Sequence, residues 1–282
     1  MAQVLQVVIN GILLGGIYAL LGVGMTMMFG IVKLTNLAHG EFVIIGSYAS
    51  TLIAQAIGVD PILTLVVTVP LMFLIGMGLQ SGLINRVMMI GSEPALLVTF
   101  GLSIILADAL LLLFSADAQR ANVPYNISSI KISAGLSISV LDLIVFCIAL
   151  VTIIILSLFL KKTYLGRSIR ATSDDTEAAS LMGVNVKRTY AIAMGIAMAT
   201  AAIAGLCVAM KWVYYPSSGG SYLLTSFGVV VIGGMGSIPG TLVAGLILGL
   251  AQVIGGANYG QLIAYVLMVV FLAVRPQGLF SK

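Results

Sequence analysis

The chain has 282 residues, 60% of them hydrophobic and only 8% charged, with a formal net charge of +4. A soluble domain is roughly 45–50% apolar and about 25% charged, so this composition excludes a water-soluble core and indicates an integral membrane protein. The positive charge is too small and too local for a nucleic-acid surface.

A run of about 20 apolar residues crosses a bilayer as a helix, and the first candidate is Val4–Phe29. No charged residue precedes Lys33. A secretory signal has a basic start and a short apolar core, so no cleavage is expected here. The next stretch, Lys33–Gly46 (KLTNLAHGEFVIIG), places Asn36, His39 and Glu41 between two apolar spans. It reads either as a polar cytoplasmic turn, with Asn36 capping the following helix, or as a broken helix whose polar groups line a path. Ionisable groups at membrane depth face a bundle interior or a wet cavity. Glu41–Ile57 is the second span, and a Gly58-Val59-Asp60-Pro61 turn follows. Ile62–Ile84 is the third and ends at Asn85-Arg86; Pro94–Phe114 is the fourth. Ser115–Ser139 reads as a polar, irregular loop, and Val140–Leu160 is the fifth span. Asp108 and Asp142 fall near predicted helix ends, where interfacial water accounts for them.

Lys161–Arg188 then collects nine of the chain's charged residues. Within it, Asp174 is placed to cap a helix over Asp175–Met182, with Glu177 reaching back as in a capping box. Ala178, Ala179, Leu181 and Met182 favour helix, and Gly183 supplies a left-handed stop. So short a helix is marginal in water and needs a surface to lie against. The alternative is an ordinary basic loop that sets topology.

Tyr190–Met210 is the sixth span, and Lys211–Ser221 a turn-rich connection. Its Trp212, Tyr214 and Tyr215 suit an interfacial aromatic belt. Tyr222–Ile232, Thr241–Ile254 and Leu262–Val274 are three shorter apolar runs. Short, glycine-interrupted runs read as discontinuous or re-entrant helices. Between the first two lies Gly233–Gly245 (GGMGSIPGTLVAG), with Gly233, Gly234 and Gly236 at its start. It reads as a counterpart of the Lys33–Gly46 break in a pseudo-symmetric second half, or as a glycine-rich hairpin turn. The expected fold is therefore an all-α, polytopic helix bundle of eight or nine membrane segments, forming a single domain over residues 1–282. Gly11/Gly15, Gly78/Gly82 and Gly245/Gly249 are small-residue pairs expected to pack helices closely.

Cys147 and Cys207 lie in apolar runs, so buried thiols are expected rather than a disulfide. A lone His39 without a cysteine cluster does not make a zinc site. No GxxxxGKS or GxxxxGKT phosphate loop occurs, so the chain binds no ATP by that device and any ATP would act on another chain. Placing Lys161–Arg188 in the cytoplasm puts ten basic residues inside and three, Arg120, Lys131 and Lys211, outside. This asymmetry favours an external N-terminus and a cytoplasmic C-terminus, with nine crossings rather than eight.

Glu177-Ala178-Ala179, three residues, then Gly183 resembles the ATPase-contacting element of bacterial ABC importer permeases. The wider order is more specific: NLAHGEF, then GRSIRA with that element, then VVVIGGMGSIPGTL, then RPQGLF. Over nearly the whole chain, Val4 to Phe280, this resembles a LivH-type permease of branched-chain amino acid ABC importers. One departure is that Val184–Arg188 lacks the Ile-x-Leu-Pro found after this element in other importer classes. The resemblance implies alternating access in the bacterial inner membrane, with solute brought by a periplasmic binding protein. It implies a LivM-type second permease subunit, or a second copy, and two cytoplasmic ABC ATPases that hold ATP and magnesium. It assigns Arg167, Arg170, Asp174, Glu177, Ala178, Ala179 and Gly183 to ATPase coupling, and Asn36, His39, Glu41, Gly233, Gly234 and Gly236 to the pathway. A secondary transporter or channel for a small polar solute is the rival reading. Ion coupling would want acidic groups within the spans, which are scarce here. A membrane enzyme would need a clustered acid, base or metal set, and His39 with Glu41 does not supply one.

Overall fold

The computed structural model describes residues 2–89, 91–133, 136–275 and 277–280. Helix α1 (Ala2–Met27) runs without a break into a π turn, Met28–Val32. The combined 31 residues make about 46 Å of helix, longer than a hydrocarbon core of about 30 Å. Helix α2 (His39–Ile57) ends at Gly58, which takes the left-handed conformation the turn requires. Asp60 then accepts from the Ile62 amide at 2.9 Å and starts a 3-10 turn, Pro61–Thr64. From it run α3 (Leu65–Leu79), a second π turn (Gln80–Ile84) and the short α4 (Asn85–Met88), one continuous pass. Helix α5 (Ser92–Phe114) returns.

The loop expected to be irregular carries a small antiparallel hairpin, β1 (Ser129–Ser133) and β2 (Leu136–Ser139), with Ile130 opposite Ile138. Its alternation was present in the sequence but too short to stand out. Ser139 caps α6 (Val140–Lys162) by accepting from the Asp142 amide. The charged loop folds as α7 (Tyr164–Asp174) and α8 (Thr176–Leu181), and Asn185 caps α9 (Val186–Lys211). Helix α10 (Gly219–Gly233) and α11 (Ile238–Val274) complete the bundle. Helix α11 is two arms, because Gly256 leaves helical geometry at φ 64° and ψ −166°. The arms fold back on each other: a Cβ on Gly255 would stand 2.7 Å from the Gly260 Cα, and Leu248 and Met268 meet the same glycine, Gly228.

The centre is α1 and α9, buried along most of their length. Alanines and glycines let them pack closely, as lipid-embedded helices require. Of the small-residue pairs, Gly11/Gly15 and Gly245/Gly249 seat α1 on α11; a Cβ on Gly15 would lie 2.6 Å from the Leu246 Cα. Gly78 and Gly82 depart from expectation, since a Cβ at either meets nothing within 4 Å. Cys207 is buried as expected, whereas Cys147 is exposed.

Among the described residues, seven helices are long and apolar enough to span a membrane. Adding α10, and counting α11 as two arms, gives nine passes. One end of the bundle is tied by Gln6 to Ser137, Tyr125 to Asp60, Lys211 to Asp142, and Gln119 to Tyr214. There, burial and the Asp60 carboxylate push the Tyr125 phenol up to about 12, so it remains the donor. The other end gathers Lys33, Asn85, α7, α8 and Arg275. Lys282 lies outside the described residues.

Candidate functional site

The Lys33–Glu41 stretch turns back into the bundle. The π turn ends at Lys33, held left-handed at φ 54°, and the chain climbs to start α2 at His39. Asn36 accepts from the Ala38 amide at 3.1 Å, a local turn rather than a helix cap; the N-cap residue is Ala38. His39 Nε2 lies 3.1 Å from the Leu21 carbonyl. That oxygen can only accept, so Nε2 carries the proton. A Cβ on Gly24 would touch both His39 Cε1 and Thr200 Oγ1. Thr200 lies about 21 Å along α9 from Val186, so His39 sits near mid-depth. Asn36, His39 and Glu41 are all buried, and among the described residues Asn36 Nδ2, His39 Nδ1 and Glu41 Oε2 find no hydrogen-bond partner. Buried polar atoms left unpaired are rare and point to function.

Glu41 packs against Gly219, the first residue of α10, so closely that a Cβ there would overlap its carboxylate. Ser218 gives that helix no side-chain cap, and an anion at its N-terminus is favoured by the aligned peptide dipoles. Helix α10 therefore begins deep in the bundle. Its 15 residues make about 22 Å, too short to span alone. The residue packed on the Glu41 end of this break is thus Gly219 of α10, not one of its expected counterpart Gly233–Gly245.

Gly233, Gly234 and Gly236 form a turn at the loop end. Gly234 and Gly236 have φ of 96° and 83°, and a Cβ on Gly236 would stand 2.9 Å from the Gly30 Cα. The turn is clasped on its other side by RPQGLF: Leu279 donates to the Ile232 carbonyl at 2.9 Å and Phe280 to Gly233 at 3.2 Å. Thr26 and Thr241 join α1 to α11 beside it at 2.8 Å. The two breaks thus meet α1 at neighbouring heights, through Leu21 and Thr26, without a hydrogen bond to each other among the described residues.

In the charged loop, Asp175 caps α8, accepting from the Ala178 amide at 2.9 Å. This corrects the expectation for Asp174, which is the last residue of α7, and Glu177 makes no reciprocal bond. Gly183 does stop the helix at φ 84°, donating to Ser180 while Val184 donates to Ala179, a Schellman closure. Ala179 is buried and Ala178 exposed. Leu181 and Met182 are 88% and 85% exposed. Arg167 and Arg170 fold back to the carbonyls of Lys162 and Lys161, at the C-terminal end of α6, where cations are favoured.

Sequence reasoning missed α7 and its Ser173. Thr163 caps this helix by accepting from Gly166, and Gly166, Ile169 and Thr172 form its buried face at intervals of three. Ser173 donates to the Gly30 carbonyl within the π turn. The signal available was that Gly166-Ile169-Thr172 spacing behind a threonine cap.

Away from these residues, a cavity of about 290 Å³ opens between α1, α10 and the arms of α11, reaching Trp212 at its rim.

The description "branched-chain amino acid transport system / permease component" fits residues 7–272 of the chain. The high-affinity branched-chain amino acid transport system permease protein BraD of Pseudomonas aeruginosa is 31% identical over 307 residues, covering 99% of this chain and 96% of that one. LivH of Escherichia coli is 30% identical over 294 residues, with the same coverage of 99% and 96%. Among solved structures, PsaBC from Streptococcus pneumoniae in complex with Fab shares the fold at a TM-score of 0.50 and 14% identity, covering 96% of this chain and 91% of that chain. The chain belongs to the family of permease components of branched-chain amino acid transport systems.

Proposed function

We propose that this chain is a membrane subunit of an ATP-driven importer that carries branched-chain or other small neutral amino acids across a bacterial inner membrane by alternating access. The observation that carries the reading is α8: six residues, capped at both ends, standing off the bundle with Leu181 and Met182 in the open. Large apolar side chains on a charged surface fit a partner's groove, and an ATPase subunit would take them there. Movement of α8 would pass to α7 and, through Ser173, to the π turn of α1 and the Gly236 turn. Asn36, His39 and Glu41 lie beyond it and are assigned to the pathway. A LivM-type subunit or a second copy completes the membrane part, and a periplasmic protein delivers solute. ATP and magnesium are held by the ATPase chains. The charge distribution supports a cytoplasmic loop end, since Arg120, Lys131 and Lys211 are the basic residues at the opposite one.

The test is co-purification with an ATPase subunit, followed by leucine uptake into proteoliposomes with and without ATP. Leu181→Asp and Gly183→Val are expected to insert normally yet lose the ATPase and at least tenfold of the uptake. Uptake driven by an ion gradient without ATP would favour the secondary-transporter reading, to which the lone Glu41 in α2 lends itself.

A further inference from the structure

Polar side chains converge on the cavity between α1, α10 and α11. Tyr18 hydrogen-bonds Gln252 in its wall, and Gln261 donates to the Tyr265 hydroxyl at 3.0 Å. Tyr222 of α10 adds a third phenol. Among the described residues no Asp, Glu, Lys or Arg lines the space, and Lys211, next to Trp212 in the chain, is paired with Asp142 at 2.5 Å. Leu248, Ala264 and Met268 make one wall apolar. The Gln252 and Gln261 amides and the Tyr265 hydroxyl each keep a donor or acceptor beyond these bonds, which suits a polar occupant.

The lining also selects the occupant's chemistry. An ion of net charge would lose its hydration against a wall with no countercharge. A zwitterion's ammonium and carboxylate offset one another in part and each can be met by a dipole of the wall, whereas an added side-chain charge finds no countercharge. Phenol hydroxyls and amide N–H groups donate to a carboxylate, amide carbonyls accept from an ammonium, and aromatic faces attract it. The apolar wall matches an aliphatic side chain. We propose that this cavity is a transient binding site for a net-neutral amino acid with an aliphatic side chain, held by Gln252 and Tyr265 and covered at the rim by Trp212. The proposal rests on the importer reading and adds a place and a selection rule to it. Dipoles without fixed charges hold weakly, which suits a solute that must leave on the other side.

Trp212 is the chain's only tryptophan, so its fluorescence reports the cavity directly. The purified full-length chain in detergent micelles is titrated with L-leucine. A saturable change at millimolar leucine is expected, with no response to L-glutamate or L-lysine at the same concentrations. Tyr265→Phe and Gln252→Leu should each weaken half-saturation by about tenfold, the loss of one hydrogen bond. The Tyr265 variant is the milder of the two and keeps its ring, so it tests the site if Gln252→Leu fails to fold. A silent Trp212, equal responses to the charged amino acids, or an unchanged Tyr265→Phe curve overturns the site. Leucine uptake by the assembled importer is measured in parallel. Uptake with a silent Trp212 sinks the cavity and leaves the importer reading standing; a response in an assembly that takes up no leucine sinks the importer reading instead.

Discussion

Glu41 is 5% exposed, inside a membrane bundle, with one carboxylate oxygen unpartnered. A group chosen for packing would be an amide or an aliphatic chain, because an unpaired buried polar atom costs roughly 1–3 kcal/mol and a charge more. The Gly219 backbone next to it has been kept bare, which makes room for the carboxylate at the start of α10. Glu41→Gln keeps the shape and removes the charge. We expect it to insert normally, to unfold at an equal or higher temperature in micelles, and to lose most of its transport. Normal uptake with reduced thermal stability would make Glu41 a structural residue. Asn36, His39 and Glu41 were readable in the sequence because polar side chains stand out between apolar spans. Gly219 was not, because its role exists only through Glu41, which is remote from it in the chain.

At the scale of elements, α8 tests how finely a cap can be read. Asp174 and Asp175 are chemically equal candidates. The choice falls on Asp175 because α7 runs through Asp174, and α7 exists because Gly166, Ile169 and Thr172 pack on the bundle. Local sequence carries the helix but not its neighbour. Asp175→Ala should therefore weaken α8 by about 1 kcal/mol, while Asp174→Ala should leave it intact. Amide exchange over residues 176–181 and stimulation of the partner ATPase are the measurements. Equal effects of the two substitutions would mean that α8 is held by its partner rather than by its cap. The hairpin over Ser129–Ser139 was unreadable for a related reason: each strand is only four or five residues, and pairing alone defines it.

For the whole molecule, the apolar runs gave each span to within a few residues. What they left open was whether the two short runs, Tyr222–Ile232 and Thr241–Ile254, were one crossing or two. The turn at Gly234 and Gly236 separates them as α10 and the first arm of α11, and Gly256 reverses the chain again, so nine segments put the two termini at opposite ends of the bundle. The partition of basic residues then gives a direct expectation. In a background of Cys147→Ser and Cys207→Ala, single cysteines at Ser128 and Ser217 should react with a membrane-impermeant thiol reagent in intact cells. A cysteine at Ser180 should react only after lysis. Reaction at Ser180 in intact cells would invert the whole topology, since the ties at each end fix the loops relative to one another.

The π turn at Met28–Val32 also makes α1 sensitive to chain length. A π turn accommodates one residue more than the α-helix around it. Removing a single residue there would let the backbone relax to regular helix with its hydrogen bonds intact. Only the residues of the turn itself would be re-aimed, because a π turn takes up its extra residue locally and leaves the backbone on either side in phase. The carbonyl that receives Ser173 and the glycine that meets Gly236 belong to that turn. An otherwise intact helix would then lose those neighbours at its end, so the extra residue serves to present Gly30 to α7 and to the Gly236 turn.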